Sequence, residues 1–161
     1  TGNIIHQMEI PIEKEDTGAM VLEKYAIEYY PLVKKVLQDI SINKLTFSPQ
    51  IEEDATYFGK RTPADGEIDW SWTKESIRNW IRAQAFPYPG AFTFYNNQKI
   101  IIDKISYAEQ KISNKQVNGE IKQLKPNVVV KTKNGSITLD IIRTENCTFT
   151  LGNIFGNEHR E

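Results

Sequence analysis

The sequence predicts an α/β segment followed by a small all-β barrel, and three observations carry that prediction. Two stretches before residue 90 place apolar side chains at helical spacing, whereas after Gly90 the spacing changes to alternate residues. Two Asn-containing pairs, Asn96-Asn97 and Asn134-Gly135, then sit between alternating runs, as hairpin turns do. Placing the boundary at the change of period gives an expected first domain over 1–89 and a second over 90–161.

The first run, Ile4, His6, Met8 and Ile10, alternates as a strand that Pro11 ends, yet the next ninety residues offer it hardly any sheet partners. Asp16 or Thr17 can cap a helix with Leu22, Tyr25, Ala26, Tyr29, Val33, Val36, Leu37 and Ile40 on one face. Pro31 lies inside it, where a missing donor and a clash cost roughly 3 kcal/mol, so a kink or restart is expected. A second helix is expected from Thr73, burying Ile77, Trp80 and Ile81, and the run Phe86-Pro87-Tyr88-Pro89-Gly90 stops it. Beyond it, 91–95 with 99–103 and 128–133 with 136–142 read as hairpins with type I′ turns. Further strands at 119–124 and 148–155 would complete a closed or half-closed barrel.

Composition narrows the function. At 161 residues, 39% hydrophobic and 25% charged, the chain suits one medium domain or two small ones. No apolar run is long enough to span a bilayer, and TGNIIHQMEI lacks the basic and hydrophobic regions of a leader. A soluble, cytoplasmic protein without a membrane partner is expected. The single cysteine, Cys147, excludes an internal disulfide and a cysteine-based zinc cage, and no metal site is expected. Residues 1–89 carry 10 Lys/Arg against 14 Asp/Glu, and residues 90–161 carry 10 against 7. That excess is too small to assign RNA binding, whose affinity comes mostly from neutralising phosphates.

The residues that stand out suit an anionic ligand. Arg78 and Arg82 are spaced i,i+4, a like-charge pair that costs roughly 0.2–0.5 kcal/mol unless anions offset it. Glu75 can partner Arg78; Arg82 has no acid at i−3 or i−4 and can meet a phosphate, or equally a structural acid such as Asp69. Lys60 and Arg61 adjoin a Pro/Asp/Gly turn, where two cations can grip a pyrophosphate or remain solvated. Tyr57, Phe58, Phe86 and Tyr88 flank these cations and could stack on a base. Core packing is the better reading for Phe58, and Tyr88, between two prolines, is the aromatic best suited to a ligand. His6 reads as a strand residue between Ile4 and Met8 with no carboxylate to orient it, and His159 lies in a polar tail. No catalytic residue is assigned.

Several segments occur in the order and spacing of one family: Thr1-Gly2-Asn3-Ile4-Ile5-His6-Gln7, Ile10-Pro11-Ile12, Asp16-Thr17, Ala55-Thr56-Tyr57, Asp69-Trp70, Ile81-Arg82-Ala83 and Pro87-Tyr88-Pro89-Gly90-Ala91. In these the chain resembles the C-terminal half of the methionyl-tRNA and sugar-nucleotide N-formyltransferases. The resemblance implies the remainder of a Rossmann-like domain followed by an OB-like barrel, and N10-formyltetrahydrofolate as formyl donor, held mainly by an upstream half. It also implies that the catalytic Asn and His lie upstream and that the catalytic Asp immediately precedes Thr1. Trp70 would lock the linker onto the catalytic domain.

The stretch Phe58-Gly59-Lys60-Arg61-Thr62-Pro63 is most similar to the sugar enzymes. The expected substrate is therefore a dTDP- or UDP-linked 4-amino-deoxysugar, met by Tyr57, Lys60, Arg61, Arg82, Phe86 and Tyr88. Methionyl-tRNA formylation is the runner-up, with tRNA as partner. An inert binding or assembly module is the third reading, and the fold permits a homodimer.

Overall fold

The computed structural model describes residues 2–109, 117–145 and 147–156. The chain gathers into two compact units, Thr1–Arg61 and Thr62–Glu161. The period changes at Gly90, but the second unit begins at Thr62 and takes in the second helix.

In the first unit, helix α1 spans Gly18–Ser41, and the Thr17 side chain accepts from the Met20 N–H at 3.4 Å. Asp16 instead folds the loop before it, accepting from the Glu13 N–H at 2.7 Å and from Lys24 Nζ at 2.5 Å. The expected restart at Pro31 does not occur, and α1 runs through it. The carbonyl that Pro31 leaves without a donor belongs to Ile27, which is well exposed, so water can serve it. No residue of α1 is buried, and its stripe, including Leu22, Tyr25, Leu37 and Ile40, is exposed. The expected strand over 4–10 reduces to one backbone bridge between Ile4 and Ser48. Alternation there finds no ladder to join, as the lack of sheet partners foreshadowed.

The second unit opens on a short 3₁₀ turn, Pro63–Gly66, closed by Asp65, whose carboxylate accepts from the Thr62 N–H at 2.6 Å and hydroxyl at 2.9 Å. Helix α2, Lys74–Gln84, follows with Thr73 as N-cap, its hydroxyl accepting from the Ser76 N–H at 3.2 Å. Ile77 and Ile81 are 0% and 2% exposed, as expected, while Trp80 is only partly buried.

Among the described residues, five antiparallel strands form the sheet: β1 Ala91–Tyr95, β2 Gln98–Tyr107, β3 Ile121–Gln123, β4 Val128–Thr132 and β5 Gly135–Arg143, in the order β1-β2-β5-β4-β3. The β1–β2 turn is as expected: Tyr95 pairs with Gln98, and Asn96 and Asn97 have φ of 47° and 57°. The β4–β5 turn is not type I′. Thr132 pairs with Gly135, so the loop is Lys133-Asn134, and neither residue has the positive φ that type I′ requires.

What this turn does instead is hold α2. Asn134 Oδ1 accepts from the Lys74 N–H at 2.9 Å, its amide donates to Glu75 Oε2 at 2.8 Å, and the Lys133 N–H donates to the Trp72 carbonyl at 3.3 Å. The Asn134 bond, followed by the helix's own N–H groups, holds the Glu75 carboxyl below its ordinary range. Glu75 is thus held by Asn134 from the distant β4–β5 turn.

The expected strand over 148–155 is also replaced. Phe149 and Phe155 pack edge-on against Tyr95 at 5.2 and 5.5 Å, and Trp70 stacks on Phe155 at 5.4 Å. The alternation reflects this cluster and not a ladder. Tyr95 Oη accepts from the Thr150 N–H at 2.9 Å and the Asn153 amide at 3.1 Å.

The backbone of 152–156 then reaches both edges of the curled sheet. It bonds Ile121 and Gly119 beside β3, and the Gly156 N–H donates to the Phe94 carbonyl of β1 at 2.9 Å. On the same edge the Ile68 N–H donates to the Phe92 carbonyl at 2.8 Å, which brings Gly66 under β1. A Cβ at Gly66 would lie 2.9 Å from the Gly90 carbonyl oxygen, so the close approach requires glycine.

Candidate functional site

The six residues expected to meet substrate divide between the two units, and each group is taken in its own frame. Tyr57, Lys60 and Arg61 lie on the extended stretch before Thr62, after the 3₁₀ turn Glu52–Asp54. Tyr57 is 79% exposed and its hydroxyl donates to Glu52 Oε1. That bond, and secondarily burial, pushes the phenol above its ordinary pKa, so it stays protonated as a donor. Lys60 and Arg61 are exposed. Phe58, expected in the core, is 91% exposed, because nothing in this stretch forms an element against which it could pack.

In the second unit, Arg82 is half-buried in the last turn of α2, and its Nε donates to Asn79 Oδ1 at 3.0 Å. Asp69 turns the chain locally by accepting from the Ser71 N–H at 2.8 Å. Phe86 is 82% and Tyr88 43% exposed, on the turn closed by the Tyr88 N–H donating to the Ala85 carbonyl at 3.1 Å. The structure therefore supplies an exposed aromatic next to exposed cations in the first group, and two exposed rings following Arg82 in the second.

Two readings change. His6 does have a carboxylate partner: its Nε2 lies 2.7 Å from Asp39 Oδ2, contributed by α1 thirty-three residues later. The bond to His6, then that to Lys35, holds Asp39 below its ordinary range. Sequence spacing could not show a pair made across a fold. Trp70 is also placed differently. It is buried in the sheet core with Nε1 donating to Thr93 Oγ1 at 3.0 Å, so it locks the linker to the β-sheet. His159 lies outside the described residues.

Two surface recesses lie elsewhere. One, of about 560 Å³, is bounded by Lys99, Arg143, Thr144 and Glu145, with Arg143 gripped by Asp103 through bonds of 2.6 and 2.8 Å. The other, of about 440 Å³, is formed by Trp72, Ser76, Asn79 and Trp80. None of the six predicted residues lines either. The second recess escaped the sequence reading because Trp72 precedes the helix and gives no periodic signal. Among the described residues, no group of three His, Cys, Asp or Glu side chains could hold a metal, and no helix is long and apolar enough to cross a membrane.

Residues 60–159 match the formyl transferase C-terminal domain family, and the chain belongs to it. Over 112 residues it is 38% identical to the bifunctional polymyxin resistance protein ArnA of Wigglesworthia glossinidia brevipalpis, covering 68% of this chain and 17% of that protein.

Among solved structures, it resembles WlaRD, a sugar 3N-formyl transferase determined with dTDP and 5-N-formyl-THF. The TM-score is 0.63 at 25% identity, over 92% of this chain and 51% of WlaRD. The N-formyltransferase from Helicobacter canadensis, in complex with folinic acid and dTDP-3-aminofucose, shares the fold with a TM-score of 0.64 at 24% identity, over 86% and 50% of the two chains. The chain thus spans about half of these structures and a smaller part of the curated relative.

Proposed function

We propose that this chain is part of a sugar N-formyltransferase, which moves a formyl group from N10-formyltetrahydrofolate to the amine of a nucleotide-linked aminosugar. The observation that carries the reading is the likeness to WlaRD over 92% of this chain, together with the family match over 60–159. On this reading 1–89 closes a Rossmann-like catalytic domain and its linker, and 90–161 forms an OB-like barrel. The acceptor amine attacks the formyl carbon, the C–N bond to tetrahydrofolate breaks, and the proton lost by the amine ends on the departing tetrahydrofolate nitrogen. That chemistry calls for a base and oxyanion donors, which we assign to residues preceding Thr1 in the parent protein.

This chain's own contribution is recognition of the acceptor. In the first unit Lys60 and Arg61 are candidate cations for the diphosphate, with Tyr57 a candidate ring for the base; in the second, Arg82 is the candidate cation, with Phe86 and Tyr88 the candidate rings. Cations and accessible rings fit a charged nucleotide better than they fit the donor's reactive end, so folate is assigned mainly to the other half. Substituting Arg61→Ala or Tyr88→Ala in the complete enzyme is expected to raise KM for the nucleotide sugar about tenfold or more, with folate binding unchanged. Unaltered KM in both variants would remove these residues from the site.

A further inference from the structure

Helix α2 has a second working face. Ile77 and Ile81 are taken up by the sheet, while Ser76, Asn79 and Trp80 face the other way and meet Trp72 from the linker. The two indoles stand edge-to-face, with centroids 5.1 Å apart and planes at 77°, and with Ser76 and Asn79 they bound the recess of about 440 Å³. That size falls within the roughly 300–1,000 Å³ of small-molecule sites, which combine aromatic walls with a few polar groups.

The walls are held before any ligand arrives. Trp80 Nε1 donates to the Gly66 carbonyl at 3.3 Å; the Trp72 backbone donates to the Asp69 carbonyl at 3.1 Å and accepts from Lys133 at 3.3 Å. Both rings nevertheless remain only partly buried. Preorganised aromatic surface of this kind lowers the ordering cost of binding.

The lining decides the ligand's chemistry. Among the described residues, the four side chains that line this recess carry no charge, in contrast to the one formed with Lys99, Arg143 and Glu145. Its polar groups are a hydroxyl and an amide. Asn79 Oδ1 accepts from Arg82 Nε, which fixes the amide and leaves its NH₂ as the donor offered to a ligand. Indole faces carry partial negative charge and attract the weakly positive C–H hydrogens of a saturated ring. Two walls at right angles suit a chair-shaped ring, which has both a C–H face and a hydroxylated edge, better than a flat base that would use one wall.

We propose that the Trp72/Trp80 corner binds a neutral hexopyranose ring, with Ser76 and Asn79 hydrogen-bonding its hydroxyls. The site uses none of the residues assigned to the nucleotide, although Arg82 orients Asn79.

Three tryptophans give three indole N–H signals in a ¹⁵N-labelled sample. On titration with methyl β-D-glucopyranoside and methyl α-D-mannopyranoside, the signals of Trp72 and Trp80 are expected to move saturably with at least one of them. That of Trp70, buried against Thr93, should stay in place. Asn79→Ala should weaken the response about fivefold through loss of one hydrogen bond, and Trp72→Ala should abolish movement of the Trp80 signal. The Trp70 signal reports whether each variant is folded; Asn79 is exposed, so its variant is testable even if Trp72→Ala unfolds. Failure of both glycosides, equal movement of all three signals, a stronger response to thymidine, Trp signals that shift with protein concentration alone, or unchanged affinity in Asn79→Ala would each overturn the proposal.

Discussion

Helices α1 and α2 begin alike, each with a threonine hydroxyl on a backbone N–H of its first turn, and each carries apolar residues at helical spacing. They end differently. The eleven residues of α2 bury two isoleucines against a sheet, whereas the twenty-four of α1 bury none. Periodicity therefore identifies which face of a helix is apolar; the surroundings determine whether that face contributes to stability. In α2 those surroundings include an asparagine from the distant β4–β5 turn that serves the helix's first N–H, that of Lys74.

This contrast can be broken at graded cost. Ile77→Ala removes a fully buried side chain and is expected to destabilise the second unit by about 2–5 kcal/mol, read from the midpoint of urea unfolding. Asn134→Ala leaves the Lys74 N–H without its acceptor and should cost about 1 kcal/mol by the same measurement. Leu37→Ala, on the stripe of α1, should change stability by less than about 0.5 kcal/mol. A Leu37 effect as large as that of Ile77 would mean that the stripe of α1 is covered in solution, and the contrast would disappear.

What the sequence made legible is local chemistry. Thr17, Thr73 and Asn96-Asn97 act within a few residues of themselves, so their roles followed from position alone. Pro31, which α1 absorbs, and Phe58 were misread locally; the other misreadings involve contacts made at long range. Ile4 to Ile10 alternates without a ladder to join, and Asn134 was read as a turn former when its side chain is spent on a helix sixty residues earlier. Phe149 and Phe155 alternate because both rings meet Tyr95. The candidate site divides in the same way. Arg82 and Tyr88 stood out through charge spacing and flanking prolines, whereas the Trp72 corner exists only once the linker folds against α2.

The bonds from 152–156 to both margins of the sheet carry a temporal consequence. Phe94 lies near the start of the strands, and its partner Gly156 follows all of them. Paired residues so far apart in sequence meet late, because the intervening chain must first be drawn together. During synthesis, the hairpins can form as they emerge, but the Phe94 end of β1 and the margin of β3 wait for residues 152–156. Until then they present unpaired backbone to any neighbouring strand, so this short piece acts as the closing step of the domain's assembly.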